Sequence, residues 1–339
     1  MVETKERKVI LVPESTSNRK FVSGLITTDF ARFPRPPFDG RGWQITYRTD
    51  VHQRCSERAG GRVYRGREII IHASSKGVAQ KAVGLIHAAA VLLWNDPLIT
   101  NLFWTVEDAN EQKECVKEGG RPLFQGSMQD LPLSCLIASK ASREHSLVYA
   151  LHKFLLSCQT YSPDLRSLDP AEGYHFALSK FADDHVRFAY AIIAAYSVLE
   201  ELGLEVRVWK EHPNSQVSGQ WDAAVRLDLE NRLRDSGVAL SEKILWHLRG
   251  TPTRLERNRQ PRSQGKYTWA RGRVRDCQME IVDAIAHASW LRSKISSHRL
   301  KPDVASLSVY DVANVQHLAR RLLLEHLDFW KYHLKPSTR

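Results

Sequence analysis

The apolar residues Phe181, Phe188, Ile192, Ala195, Tyr196 and Leu199 fall on one face of an α-helix. A stripe of that period and length buries itself against other helices, so this stretch commits its surroundings to a bundle. It lies in the segment PAEGYHFALSKFADDHVRFAYAIIAAYSVLEELG, read as one long helix with a break near Asp183 and Asp184. The same period continues around it. EHSLVYALHKFLLSC reads as a connecting helix, and WDAAVRLDLENRLRDSG as an amphipathic helix closed by Gly237. A further helix is expected from about Asp276 to His298, and a last one from about Val309 to His333. From about Ser142 onward the pattern predicts an all-α bundle interrupted by one long basic loop.

The first 140 residues obey a different period. KVILVP, GWQITYRT and GREIIIHAS have the short or alternating apolar runs of strands, bounded by Gly, Pro and Asp. KGVAQKAVGLIHAAAVLLWN reads as a helix stopped at Asn95-Asp96-Pro97, and EQKECVKEGGRPLFQGSMQDLPLS as a loop. The expected fold class is therefore α+β. Residues 1–140 form a mixed α/β domain of unassigned role, 141–169 a connecting helix and linker, and 170–339 an all-α helical domain. Neither a phosphate-cradling GxxxxGK[ST], nor GxGxxG, HExxH or GxSxG occurs, so no chemistry attaches to the first domain.

A length of 339 residues suits about two domains. No run approaches the roughly 18 to 20 apolar residues that cross a bilayer, and LIHAAAVLLW is too short. MVETKERKVILVPES has no apolar core of a signal peptide. The cysteines Cys55, Cys115, Cys135, Cys158 and Cys277 are scattered and form no CxxC pair. A cytoplasmic protein with reduced thiols is expected, without membrane, metal or cofactor. The net charge of +11 favours an anionic partner. Most of it sits in 249–275, where Arg249, Arg254, Arg257, Arg259, Arg262, Lys266, Arg271, Arg273 and Arg275 face the single acid Glu256. Tyr267 and Trp269 lie among these cations and offer faces for unpaired bases, so this loop is expected to bind RNA. A solvated loop without a ligand has the same composition.

The stretch WLRSKISSHRL places Arg292 six residues before His298, with Pro302 beyond. Arginine followed at similar spacing by histidine also occurs at His72, His212 and His326, so spacing alone selects nothing. REIIIH lies in a predicted strand and RVWKEH in a turn. His326 falls on the Val315, Leu318 and Leu322 stripe, from which Arg320 and Arg321 diverge. Arg292 instead falls between Ile281, Ile285, Ala288 and Ile295, in the middle of an apolar face. A guanidinium there has to be paired or to open into a polar cleft. It reads either as a structural arginine bonded to a carboxylate such as Glu200, or as an anion-binding group. On an unbroken helix His298 would point about 120° away from Arg292. Fraying at Ser296-Ser297 would let the imidazole turn back.

The long helix with IIAAYSVLEELGLE, the helix end WLRSKISSH and the closing SVYDVANVQHLARRLLLEHLDFW resemble, in pattern and order, the HEPN superfamily over residues 170 to 335. The resemblance implies a homodimer with both Arg–His motifs in one cleft, and RNA cleavage without metal in active members. Inactive members are scaffolds or nucleotide binders. Carried over, Arg292 would bind the scissile phosphate and His298 would act as general acid or base in attack by the RNA 2′-hydroxyl. Glu200 would orient the arginine. Where active members often carry Asn, Asp or His after the arginine, this chain has Ser293. The expected function is a metal-independent endoribonuclease, a defence or toxin-like effector with a possible protein regulator or antitoxin. The alternative is a non-catalytic dimerisation and nucleic-acid-binding protein.

Overall fold

The computed structural model describes residues 19–27, 36–54, 63–94, 106–108, 131–163, 182–217, 220–248, 275–293 and 307–329. They form a mixed α+β protein, mostly helical, with small antiparallel sheets. The chain divides into two units, Met1–Trp94 with Phe103–Glu144, and Asn95–Leu102 with His145–Arg339.

In the first unit β1 (Arg19–Thr27), β2 (Phe38–Gly40), β3 (Trp43–Arg54), β4 (Val63–Ala73) and β5 (Val106–Asp108) make one sheet in the order β2-β3-β4-β1-β5. Burial alternates along it. Trp43, Ile45, Ile71 and Ala73 are buried, while Gln44, Thr46 and His72 are not. Helices α1 (Lys76–Trp94) and α2 (Leu131–Ala141) pack on each other and supply the rest of the core. The expected strands at GWQITYRT and GREIIIHAS are β3 and β4; KVILVP lies outside the described residues. LPLS, read as loop, instead opens α2, with Pro132 in the first turn, where a missing N–H costs nothing. By length and composition the window Lys76–Leu93 of α1 could span a bilayer, but 61% of it is buried within the protein, as in a core helix.

The second unit is built on α3 (His145–Thr160), α4 (Ala182–Glu201) and α7 (Val309–His326). Helix α3, read from sequence as a connector, packs on α4 and α7, with Leu151 and Phe154 fully buried. Phe188, Ile192, Ala195, Tyr196 and Leu199 are buried as their period requires; Phe181 lies outside the described residues. The three helices share a polar junction. The Ser157 hydroxyl donates to the Ala191 carbonyl (2.7 Å), and the Gln316 amide donates to Ser157 Oγ (2.9 Å) and the Tyr161 carbonyl (2.8 Å).

The unit is not all helical. Strands β6 (Gln216–Val217) and β7 (Gln220–Trp221) form a short hairpin before α5 (Ala223–Asp235). That helix ends as expected at Gly237, whose φ of +75° turns the chain while Gly237 and Val238 donate back to Arg234 and Leu233. Strands β8 (Lys243–Leu248) and β9 (Arg275–Glu280) pair antiparallel. Asp276 to Glu280 is thus strand, and the helix expected there, α6, spans only Ile281–Leu291. Pairing with β8, which buries Ile244 and Trp246, overrides local preference. The closing helix begins at a Ser308–Asp311 capping box. It ends at His326, short of His333, because Leu327 and Asp328 turn, Asp328 with φ 53°.

Asn314 on α7 fastens the hairpin: its side chain accepts from the His247 N–H and donates to the His247 carbonyl, both at 2.8 Å. Asn314→Ala leaves both backbone groups without this partner, and the expected loss is about 1–3 kcal/mol of stability. Urea denaturation measures it, and an unchanged midpoint would show the clamp to be dispensable.

Candidate functional site

Helix α6 widens into a π-helical turn at Arg292 and Ser293, the kind of local irregularity that recurs at functional sites. Arg292 caps the helix. Its backbone follows the face of Ile281, Ile285 and Ala288, which are buried, yet its side chain is 43% exposed. A guanidinium on that apolar face had to be paired or to open outward, and Arg292 is both paired and half-exposed. One nitrogen lies 3.0 Å from Glu200 Oε1 on α4. The guanidinium carbon stands 5.7 Å from the centre of the Tyr196 ring.

Tyr196 is 2% exposed. Its hydroxyl accepts from the Val206 N–H (3.1 Å) and is hydrogen-bonded to the Ser289 side chain. Burial pushes the phenol above its ordinary range, and these hydrogen bonds oppose the shift. The loop bearing Val206 is held in turn. Gly203, at φ +69°, closes α4 as Gly203 and Leu204 donate back to Glu200 and Leu199. Arg232 of α5 then donates to the carbonyls of Gly203 and Glu205.

Of the residues singled out in the sequence, Arg292 and Glu200 meet. Ser293 is adjacent and donates its hydroxyl to the Trp290 carbonyl (3.3 Å). His298 and the RNA-binding candidates Arg254, Arg257, Arg259, Arg262, Lys266, Tyr267, Trp269, Arg271 and Arg273 lie outside the described residues. The segment that holds those cations starts and ends at the paired residues Leu248 and Arg275, and β9 runs straight into α6. Arg275 itself belongs to β9.

The other arginine–histidine pairs do different work. His72 in β4 meets Thr46 Oγ1 at 2.8 Å. His212 lies 2.8 Å from Asp222 Oδ2, while Asp222 Oδ1 caps α5, and Arg207 turns to Glu205. Arg321 pairs with Glu242 and Glu325. Among the described residues no group of three or more His, Cys, Asp or Glu is placed to hold a metal ion. Cys135 and Cys158 are free and buried.

Sequence reasoning counted Tyr196 only as core and missed Ser289 and Val206. The four-residue step from Tyr196 to Glu200 and the three-residue step from Ser289 to Arg292 were the available signal, since such steps share a helix face. Comparisons with family models, curated proteins and solved structures give no match.

A half-exposed pair contributes little to stability. Glu200→Gln and Arg292→Ala are each expected to cost no more than about 1 kcal/mol in chemical denaturation. A loss of several kcal/mol would mark the pair as a structural staple.

Proposed function

We propose that the chain is a metal-independent endoribonuclease of the HEPN type, a cytoplasmic defence or toxin-like effector acting as a homodimer. The observation that carries this reading is the Arg292–Glu200 pair at the end of α6: a cation held by a carboxylate, half-exposed, and preceding His298 by six residues. Arg292 binds the scissile phosphate and neutralises the charge that grows on its oxygens. Glu200 orients the guanidinium. His298 serves as the general acid or base, a task for which an imidazole near neutrality is suited. The RNA 2′-hydroxyl loses its proton and forms a bond to phosphorus. The bond to the 5′-oxygen breaks, and that oxygen takes a proton, leaving a 2′,3′-cyclic phosphate and a 5′-hydroxyl.

Labelled tRNA and mRNA incubated with the protein in EDTA test this directly. Arg292→Ala and His298→Ala are each expected to lower cleavage by ~10² to 10⁴. Wild-type rates in the double variant would end the reading.

A second reading, a non-catalytic dimerisation and nucleic-acid-binding protein of the same type, is favoured by Ser293, whose hydroxyl is turned to its own helix. RNA bound but left intact by the wild type would select it.

Both readings assign RNA binding to the basic segment 249–275. Each phosphate contact contributes about −0.7 to the slope of log K against log salt for single strands. Replacing Arg257, Arg259, Arg262 and Arg271 by Ser is expected to flatten that slope and weaken binding. An unchanged salt series would remove the segment from the RNA-binding surface.

A further inference from the structure

Two contacts cross between α4 and α6 like adjacent rungs. Tyr196 meets Ser289 on the lower rung; one turn further along both helices, Glu200 meets Arg292 on the upper. The guanidinium of the upper rung stands over the aromatic ring of the lower. The ring is fixed. It is almost wholly buried, its hydroxyl is held by Val206 from the loop and by Ser289 from α6, and the loop is fastened by Arg232.

The guanidinium is held less completely. Its nearest approach to Glu200 is one nitrogen at 3.0 Å, and an ion pair between half-exposed side chains at a helix end holds a long side chain loosely. A long side chain at a helix end loses much rotamer freedom when a ligand fixes it, and a surface that fixes it beforehand removes that cost from binding. A flat π face under the planar cation supplies such a surface. A cation seated over a ring face keeps its N–H donors available to phosphate oxygens.

We infer that Tyr196 is the positioning residue for Arg292, its ring holding the guanidinium against Glu200 with the remaining N–H donors presented to an RNA phosphate. The inference rests on reading Arg292 as the phosphate-binding group. It assigns the role to the ring and leaves the hydroxyl as its anchor.

The test uses the full chain and a fluorescein-labelled single-stranded oligoribonucleotide with 2′-O-methyl groups, which binds without being cut. Tyr196→Phe keeps the ring and is expected to bind within about twofold of wild type, although it loses two hydrogen bonds and melts earlier. Tyr196→Leu is expected to weaken binding about three- to fivefold, the range of a cation–π contact whose cation is partly in solvent. In the Arg292→Ala background the same leucine substitution is expected to change nothing, because its effect passes through the arginine. An equal loss in the phenylalanine and leucine variants, or a leucine effect that persists without Arg292, overturns the inference in favour of a merely structural tyrosine. In the wild type, whose fold no core substitution disturbs, the Arg292 Nε–H resonance, assigned by its loss in Arg292→Lys, is expected to be shifted upfield by the ring. A resonance at the ordinary solvent-exposed position also overturns it. Arg292→Ala that binds the oligonucleotide and cleaves its 2′-hydroxyl counterpart like wild type overturns the ribonuclease reading and this inference together. Impairment in Arg292→Ala with none in Tyr196→Leu overturns this inference alone.

Discussion

The enclosure of α4 is the constraint on which the second unit depends. This helix is flanked by α3, α6 and α7, and its alanines allow close approach on several sides: Ala189, Ala191, Ala194 and Ala195 are all buried. The faces so covered leave few places for polar groups, while Val186 and Tyr190 mark the face left to solvent. Ser157 and Gln316 resolve the problem in the interior: the Gln316 amide donates to Ser157 Oγ and the Tyr161 carbonyl, and the Ser157 hydroxyl donates to the Ala191 carbonyl. A buried polar network of this kind is stable only when its members are satisfied, and it fixes the register of three helices at once. At its C-terminal rim α4 carries two carboxylates: Glu201 pairs with Lys153, and Glu200 meets Arg292.

The location of Arg292 is set from the other end of α6. No loop separates β9 from α6, so the pairing of β8 with β9 dictates where the helix starts. Three further attachments fix that start. Asn314 clamps the His247 backbone, the Trp221 indole donates to Asp283 (2.8 Å), and Arg226 reaches Glu280, Asp283 and Glu230. Eleven residues of helix then carry Arg292 to the level of Glu200. A slip of one residue at the hairpin would rotate the arginine by about 100° and separate the pair.

Much of this was legible where the signal is local. The period of β3, β4, α1 and α4 and the stop at Gly237 are properties of consecutive residues, and the elements formed where those residues placed them. The β8–β9 hairpin was not legible. Its second strand, RDCQME, alternates only at Cys277 and Met279 and holds no β-branched or aromatic residue, and its partner lies beyond a 26-residue separation that no local window spans. The polar junction of Ser157 and Gln316 joins residues 159 positions apart for the same reason. At the candidate site the sequence named Arg292 from charge on an apolar face, and Glu200 as a carboxylate able to pair with it. It missed Tyr196, because a tyrosine on a buried stripe reads as core whether or not a cation stands on it.

The exposure of Arg292 bears most directly on its chemistry. Periodicity alone would bury it, and a buried pair with Glu200 would be held tightly by the weak screening of the interior. Such a guanidinium would have its charge answered by the carboxylate and would offer little to a second anion. Full exposure would hydrate the cation and leave it mobile, so that a phosphate would have to strip water and impose order together. Ending α6 in a wider turn at Arg292 avoids both extremes. The side chain keeps 43% of its surface in solvent, a nitrogen 3.0 Å from Glu200 and its guanidinium carbon over the Tyr196 ring. In that position the cation is answered by a carboxylate and still meets solvent.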